Sequence, residues 1–271
     1  MLTSNITDID VFWGFVHSGP SFAYRRMLTH SVVGLLILSV ICALIFSRLY
    51  KNQNWKTWFG VSLIGTSVHV FFDLLNSYGV VFLYPFSRHR FEWAWVFIID
   101  LAIWSMLLIP LLMAIPPTYR SHLERMSKWA VVTLTIYVSI CGLLRWRAGE
   151  LLENWTNAQN NPPSFAYVFP EALGPHRFRG VTRTGDTYSV HLIHALTGTM
   201  DPPTYISTEE NSVEVQKILE QPAAKNLMWF FKAPVWTKGE KTGVWDVSDL
   251  RFQSLVIFRD VPFRYTFRLK D

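Results

Sequence analysis

Four long apolar stretches within the first 147 residues constrain this chain more than any other feature. Ser31 to Ser47 is 17 residues without a charge, and Trp129 to Leu144 is uncharged as well. Trp93 to Ile115 is 23 residues in which Asp100 is the only charge, and Thr57 to Tyr84 carries only Asp73, with His69 beside it. Crossing a bilayer takes roughly 17 to 25 mostly apolar residues, so the longer stretches suffice alone and the shorter ones with their flanks. A soluble bundle of buried helices would instead show polar faces at helical spacing, and these stretches show almost none. The expectation is a mainly α integral membrane bundle of about four transmembrane helices.

Composition agrees: half of the residues are hydrophobic and only 17% are charged, against about one quarter in an average soluble domain. Met1 to Thr29 has no apolar core of the kind a cleavable signal peptide needs. Cys42 and Cys141 both fall in expected spans, where they read as small apolar residues rather than a disulfide framework. The formal charge of +5 is carried near helix ends, which is no footprint for nucleic acid. Arg48, Lys51, Lys56, Arg120, Arg125 and Lys128 flank one set of loops, and Arg25, Arg26, Arg88, Arg90, Arg145 and Arg147 the other. The flank positions lean the first and third loops toward the cytoplasm, and the termini and tail outward. A multi-pass membrane protein is expected.

After Arg147 the composition changes. "ENWTNAQNNPPS" reads as a polar linker within 148–163, since Asn and Pro clusters interrupt periodic structure. Residues 164–271 read as a smaller β-rich α+β domain. "FRGVTRTGDTYSVHLIHAL" predicts a hairpin turning at Gly185 and Asp186, and "FRYTFRLK" has the period of a half-buried strand. A short helix is expected around Val213 to Leu219.

The acids and histidines carry the chemistry. His69 and Asp73 stand four apart, so on a helix they project from one face about a turn apart. Asp73 and Asp100 sit inside apolar spans, where ionisable groups are expensive and tend to mark function. The short loop between their helices makes these antiparallel neighbours, and His30 opens the first span on the same side, preceded by Asp8 and Asp10. Asp8, Asp10, His30, His69, Asp73 and Asp100 can therefore converge at one membrane face. A mixed nitrogen and oxygen set suits a divalent metal, zinc first, with manganese or iron as alternatives. Six candidate ligands exceed what one ion needs, which leaves room for a binuclear centre.

These residues also carry a resemblance. An aspartate pair (Asp8, Asp10) is followed by an Arg-x-x-Thr-His-Ser block (Arg26, Thr29, His30, Ser31). A helix with His-x-x-x-Asp (His69, Asp73) follows, and then Tyr78-Gly79 and Pro85-Phe86. The chain resembles the membrane-bound metal-dependent hydrolases, also described as LexA-regulated inner-membrane proteins, over residues 8 to about 110. "WVFIIDLAIW" is similar to the family's next helix and carries over Asp100. Members usually have an apolar Thr-His segment ahead of the aspartates, and often a histidine where Arg25 stands here; a cation cannot ligate a metal. The resemblance implies hydrolysis through metal-activated water. Asp73 or Asp100 would then act as ligand or general base, and Arg26 would neutralise an anionic substrate such as a phosphodiester. An interface arginine obeying the topology rule is the other reading of Arg26. Membrane-proximal or lipid-linked esters, phosphoesters and amides are the implied substrates, and a protein partner of the tail is left unnamed.

Two other readings stand beside this one. In the first, the polar cluster is a structural metal site or helix-locking network of a non-enzymatic membrane protein. In the second, Asp73 and Asp100 form an ion or proton relay. His17, His89 and His122 read as solvated. His191 and His194, three apart on a strand, read as facing opposite ways. Trp93, Trp95 and Trp129 read as an aromatic belt.

Overall fold

The structure is a computed structural model that describes residues 2–15, 21–50, 54–113, 115–257 and 263–269. His17, Lys51 and Lys270 lie outside the described residues. The chain forms two compact units, one of Met1–Trp93 with Lys217–Phe231, the other of Ala94–Gln216 with Lys232–Asp271.

In the first unit a turn of helix α1 (Leu2–Asn5) runs into a 3-10 segment, Ile6–Phe15. Two long helices follow, α2 (Val32–Leu49) and α3 (Trp55–Leu75). Ser31 caps α2 by accepting a hydrogen bond from the Gly34 amide, and Asn54 caps α3 by accepting from the Lys56 amide. The two helices form an antiparallel hairpin: the Ser39 and Thr66 hydroxyls lie 3.3 Å apart, and farther along Leu35 packs with Val70. The residues buried along them are Gly34, Leu35, Ser39, Cys42 and Ala43 on α2 and Ser62, Thr66, Val70, Asp73 and Leu75 on α3. Small residues and hydroxyls let backbones approach where lipid gives no hydrophobic drive between helices. The outer face of α2 exposes Leu36, Ile37, Val40, Ile41, Leu44 and Ile45, as a lipid-facing surface does.

The second unit opens with α4 (Leu101–Met113) and α5 (Leu123–Asn157). Of the four expected spans, three are found among the described residues. Three helices, α2, α3 and α5, are long and apolar enough to cross a membrane. Among the described residues of the stretch expected to form a fourth, Trp93 to Ile115, the helix is the 13-residue α4, with Pro110 inside it. At 1.5 Å per residue that helix is about 20 Å long, short of the ~30 Å hydrocarbon core. The polar stretch at 148–163 also differs, because α5 continues through Asn157 and so includes the start of "ENWTNAQNNPPS".

The β-rich part follows. Strands β1 (Phe165–Pro170), β2 (Arg177–Thr184), β3 (Thr187–His194) and β4 (Thr199–Met200) are ordered in sequence, and β5 (Thr204–Ser207) pairs with the other end of β3. β2 and β3 pair antiparallel out to Thr184 and Thr187, around Gly185 with φ +59°, a left-handed turn conformation that glycine adopts without cost. α6 (Val213–Leu219) and α7 (Pro222–Phe230) then lead to a second sheet of β6 (Pro234–Lys238), β7 (Val244–Asp249) and β8 (Tyr265–Arg268). One apolar core gathers Phe169, Val181, Tyr188, Val190, Ala233, Val235 and Leu250. Another places Ala148 and Leu152 of α5 on Val168, Phe178 and Ile193.

Candidate metal centre

Three segments of the first unit bring its acids and histidines together. The 3-10 segment Ile6–Phe15 carries Asp8 and Asp10, the turn Leu28–His30 ends on His30 immediately before α2, and α3 carries His69 and Asp73 one turn apart. The turn is pressed against its helix: a Cβ on Gly34 would come within 1.8 Å of the Leu28 carbonyl oxygen, so only glycine admits this approach.

The Nε2 atom of His30 lies 3.1 Å from Asp73 Oδ2 and 3.7 Å from Asp8 Oδ1. His69 Nε2 lies 3.3 Å from Asp73 Oδ2 and 3.6 Å from Asp8 Oδ2. One ligand atom from each of Asp8, His30 and His69 falls within 4.8 Å of the others. Yet His30 Nε2, His69 Nε2 and Asp73 Oδ2 are buried with no hydrogen-bond partner among the described residues. Atoms this close but poorly aligned for hydrogen bonding fit lone pairs directed at a common point better than at one another. Ligands about 2.0–2.1 Å from a zinc ion at tetrahedral angles stand ~3.4 Å apart, within the range of these separations.

Charge favours a cation as well. Asp8, Asp10 and Asp73 face the guanidinium groups of Arg25 and Arg26, which leaves one negative charge in excess when the imidazoles are neutral. The His69 imidazole holds the Asp8 carboxyl below the ordinary carboxylate range, against the opposing effect of its own burial. With a side chain 42% exposed, Asp8 is also the member of the cluster open to solvent.

The remaining polar residues orient this set. The Thr29 hydroxyl donates to Asp10 Oδ2 and lies 3.0 Å from His30 Nδ1, which is itself 3.3 Å from Asp10 Oδ2. A proton on Nδ1 thus has acceptors at hand, and Nε2 is left as a lone-pair donor. Asp10, expected as a ligand, stands behind the histidine through Oδ2, while its Oδ1 is buried with no hydrogen-bond partner among the described residues. Its Oδ2 also accepts from the Arg26 amide at 2.6 Å, holding a residue whose φ is +58°. The left-handed backbone turns the Arg26 guanidinium onto Asp73 Oδ1 at 2.7 Å and Asn76 Oδ1 at 3.0 Å, with the Tyr78 ring beneath it at 4.7 Å. Arg26 is therefore engaged with a carboxylate of the cluster rather than free to meet a substrate.

Asp100 belongs to the second unit, where its oxygens have other work. Oδ1 caps α4 by accepting from the Ala102 and Ile103 amides, and Oδ2 accepts from the Tyr137 hydroxyl at 2.8 Å. Five of the six expected ligands thus meet in one cluster, and the contacts of Asp100 are those of a cap. His191 and His194 spend themselves on Asp201, through its carbonyl and carboxylate respectively.

Asn76 was not singled out in the sequence, and Arg25 was read only as a flanking cation standing where family members often have a histidine. Asn76 is the extended residue that ends α3, and its link to the cluster through Arg26 follows from no helical spacing. Against the cluster opens a cleft of about 820 Å³, lined by Ile9, Phe12, Met27, Leu28, Tyr84 and Pro85, with Asp10 and Thr29 toward the histidine and Tyr24 and Arg88 also in its wall. Nothing in the spacing of the sequence marked this cleft.

Comparison with known proteins bears on the N-terminal half. A family model described as the YdjM inner membrane protein matches residues 1–148. The chain is 29% identical over 85 residues to the uncharacterized protein YfhP of Bacillus subtilis (strain 168), which covers 31% of this chain and 26% of that protein. The match thus spans about a quarter of the relative's length. No solved structure matches the chain.

Proposed function

Because the chain belongs to the YdjM inner membrane protein family, we propose that it is an inner-membrane, metal-dependent hydrolase whose divalent ion is held by Asp8, His30, His69 and Asp73. The observation that carries this reading is the convergence of three buried, unpartnered donor atoms, His30 Nε2, His69 Nε2 and Asp73 Oδ2, on the solvent-facing carboxylate of Asp8. Zinc suits the donor set best, and manganese or iron would be accepted by the same atoms. A bound ion would supply Lewis acidity and a water of lowered pKa.

The chain's own residues divide the remaining work. Asp10 and Thr29 fix the His30 ring and keep its Nε2 free. Arg26 and Asn76 pin the Asp73 side of the cluster, so that Asp73 Oδ2 faces the histidines. Asp8 would hold the ion through one oxygen and present the other to solvent, where it would take a proton from an attacking water, since it alone combines proximity to both imidazoles with exposure to solvent. The apolar cleft beside the cluster would exclude water around a membrane-proximal ester, phosphoester or amide.

Metal analysis of the detergent-purified protein tests this directly. The parent is expected to hold stoichiometric metal, and His69→Ala and Asp73→Ala, run as folded monodisperse species, are expected to lose it. A well-folded parent without metal would leave the same residues as a helix-locking polar network and end the hydrolase reading.

A further inference from the structure

One feature of the cleft is unexplained by the metal cluster. Its wall is apolar apart from Asp10 and Thr29 at the histidine side, the hydroxyls of Tyr24 and Tyr84, and Arg88, its one cation. Asp10 is the carboxylate of the lining, and its Oδ2 is already engaged by the Arg26 amide and the Thr29 hydroxyl. Arg88 is exposed and makes no ion pair among the described residues, and its guanidinium lies over the face of Trp229, 4.7 Å from the ring centroid. The same indole donates its Nε1 hydrogen to the Arg88 backbone carbonyl at 3.1 Å, so α7 fixes both ends of this residue. α7 also donates from Asn226 to the Tyr24 hydroxyl, another part of the cleft wall, at 2.7 Å. Below it Arg90 is buried, bonded to the carbonyls of Gly79, Ala23 and Arg25 and covered by the Trp229 and Phe230 rings.

An arginine held on an aromatic face without a carboxylate partner is an anion receptor with little rotamer freedom left to lose. An apolar cleft beside it sets the rest of the ligand. The lining residues Met27, Leu28 and Thr29 lie directly ahead of α2, a candidate membrane span, so the cleft opens at the end of a span, where lipid headgroups lie. Ile9, Phe12 and Leu28 are 49%, 63% and 44% exposed, apolar surface that such a ligand would cover.

We infer that this cleft binds an anionic lipid, with a hydrocarbon chain along Ile9, Phe12, Met27 and Leu28 and the negatively charged headgroup on Arg88, and that the tail helix α7 holds that arginine in place. The inference deepens the hydrolase reading by naming its substrate class, and rests on it for the reaction but not for the binding. Arg88 lies within the matched family region of residues 1–148, whereas α7, the helix that holds it, lies outside that region.

The test is a competition for a fluorescent lipid by the full chain in detergent, using dioleoyl phosphatidylglycerol, dioleoyl phosphatidylcholine and inorganic phosphate as probes. Phosphatidylglycerol is expected to bind about tenfold more tightly than phosphatidylcholine, the scale of one charged hydrogen bond. Arg88→Gln should bring the two lipids level, and Trp229→Leu should reduce the preference several-fold. Millimolar phosphate should displace neither lipid; displacement would assign the arginine to a free anion and overturn the proposal. Equal binding of both lipids by the parent, or an unchanged preference in Arg88→Gln, would overturn it too. His69→Ala separates the two readings: loss of metal with the lipid preference intact is expected. Loss of the preference in that variant would assign it to the metal cluster and overturn the role of Arg88.

Discussion

Asp10 and Asp73 show how two aspartates come to opposite roles within one cluster. Asp73 has one oxygen tied to Arg26 and the other directed at two imidazoles, which is how a ligand is held. Asp10 has Oδ2 shared among the Arg26 amide, the Thr29 hydroxyl and the back of His30, which is how a ligand is oriented. Asp10→Asn keeps the size of the side chain but weakens its pull on the His30 Nδ1 proton. Metal affinity is therefore expected to fall about 10- to 100-fold, as loss of outer-sphere partners typically does. A cobalt titration followed by absorbance measures this, and an affinity equal to the parent's would place Asp10 outside the site altogether. At this scale the sequence was informative about residue types and less so about roles. Spacing on α3 put His69 and Asp73 on one face, but which aspartate faces the imidazole nitrogens depends on the left-handed turn at Arg26, which no spacing encodes.

Among the elements, β3 carries a group whose titration has a predictable sign. His191 is buried at 1% exposure, its ring 4.3 Å from that of Trp155 on α5, with Nδ1 against the Asp201 carbonyl. Burial holds its pKa below the ordinary histidine value, and the Asp201 carbonyl opposes this only in part. A group depressed on folding binds protons more readily when unfolded, so the stability it contributes is full above about pH 6.5 and is lost as pH falls through the folded value. Melting temperature should therefore drop between pH 7.5 and 5, and the drop should be shallower in His191→Phe. An equal drop in both proteins would show that other groups carry it. The same element level explains why three candidate spans are found where four were expected. Apolarity over Trp93 to Ile115 is real, yet the backbone is helical only from Leu101, where the Asp100 carboxylate caps it. Hydropathy reports which residues avoid water and says nothing about where a helix starts.

Across the whole molecule, the tail does not stay with the sheets it lies among in sequence. Lys217–Phe231 belongs to the same compact unit as Met1–Trp93. Phe230 sits 5.6 Å from Phe22 and 5.0 Å from Tyr78 between ring centroids, and is fully buried. Phe230→Ala is expected to cost about 3–5 kcal/mol, the usual range for a buried phenylalanine. Denaturant unfolding gives the magnitude, and hydrogen exchange across residues 21–30 should quicken, although the substitution is some two hundred residues away in sequence. Exchange confined to the tail would mean that α7 does not brace the cluster. What the sequence by itself determined is local: the three long apolar helices, the β2–β3 hairpin at Gly185, the short helix α6, and the one-turn pairing of His69 with Asp73. These follow from period, charge and turn chemistry, which act over a few residues. The tertiary structure alone decided which donors point inward, that Asp10 stands behind His30, that Asp100 caps a helix, and that Trp229 holds Arg88 at the cleft. Each of those is a contact between distant segments, fixed by packing and by where buried polar atoms find partners, and neither quantity is written in any local stretch of chain.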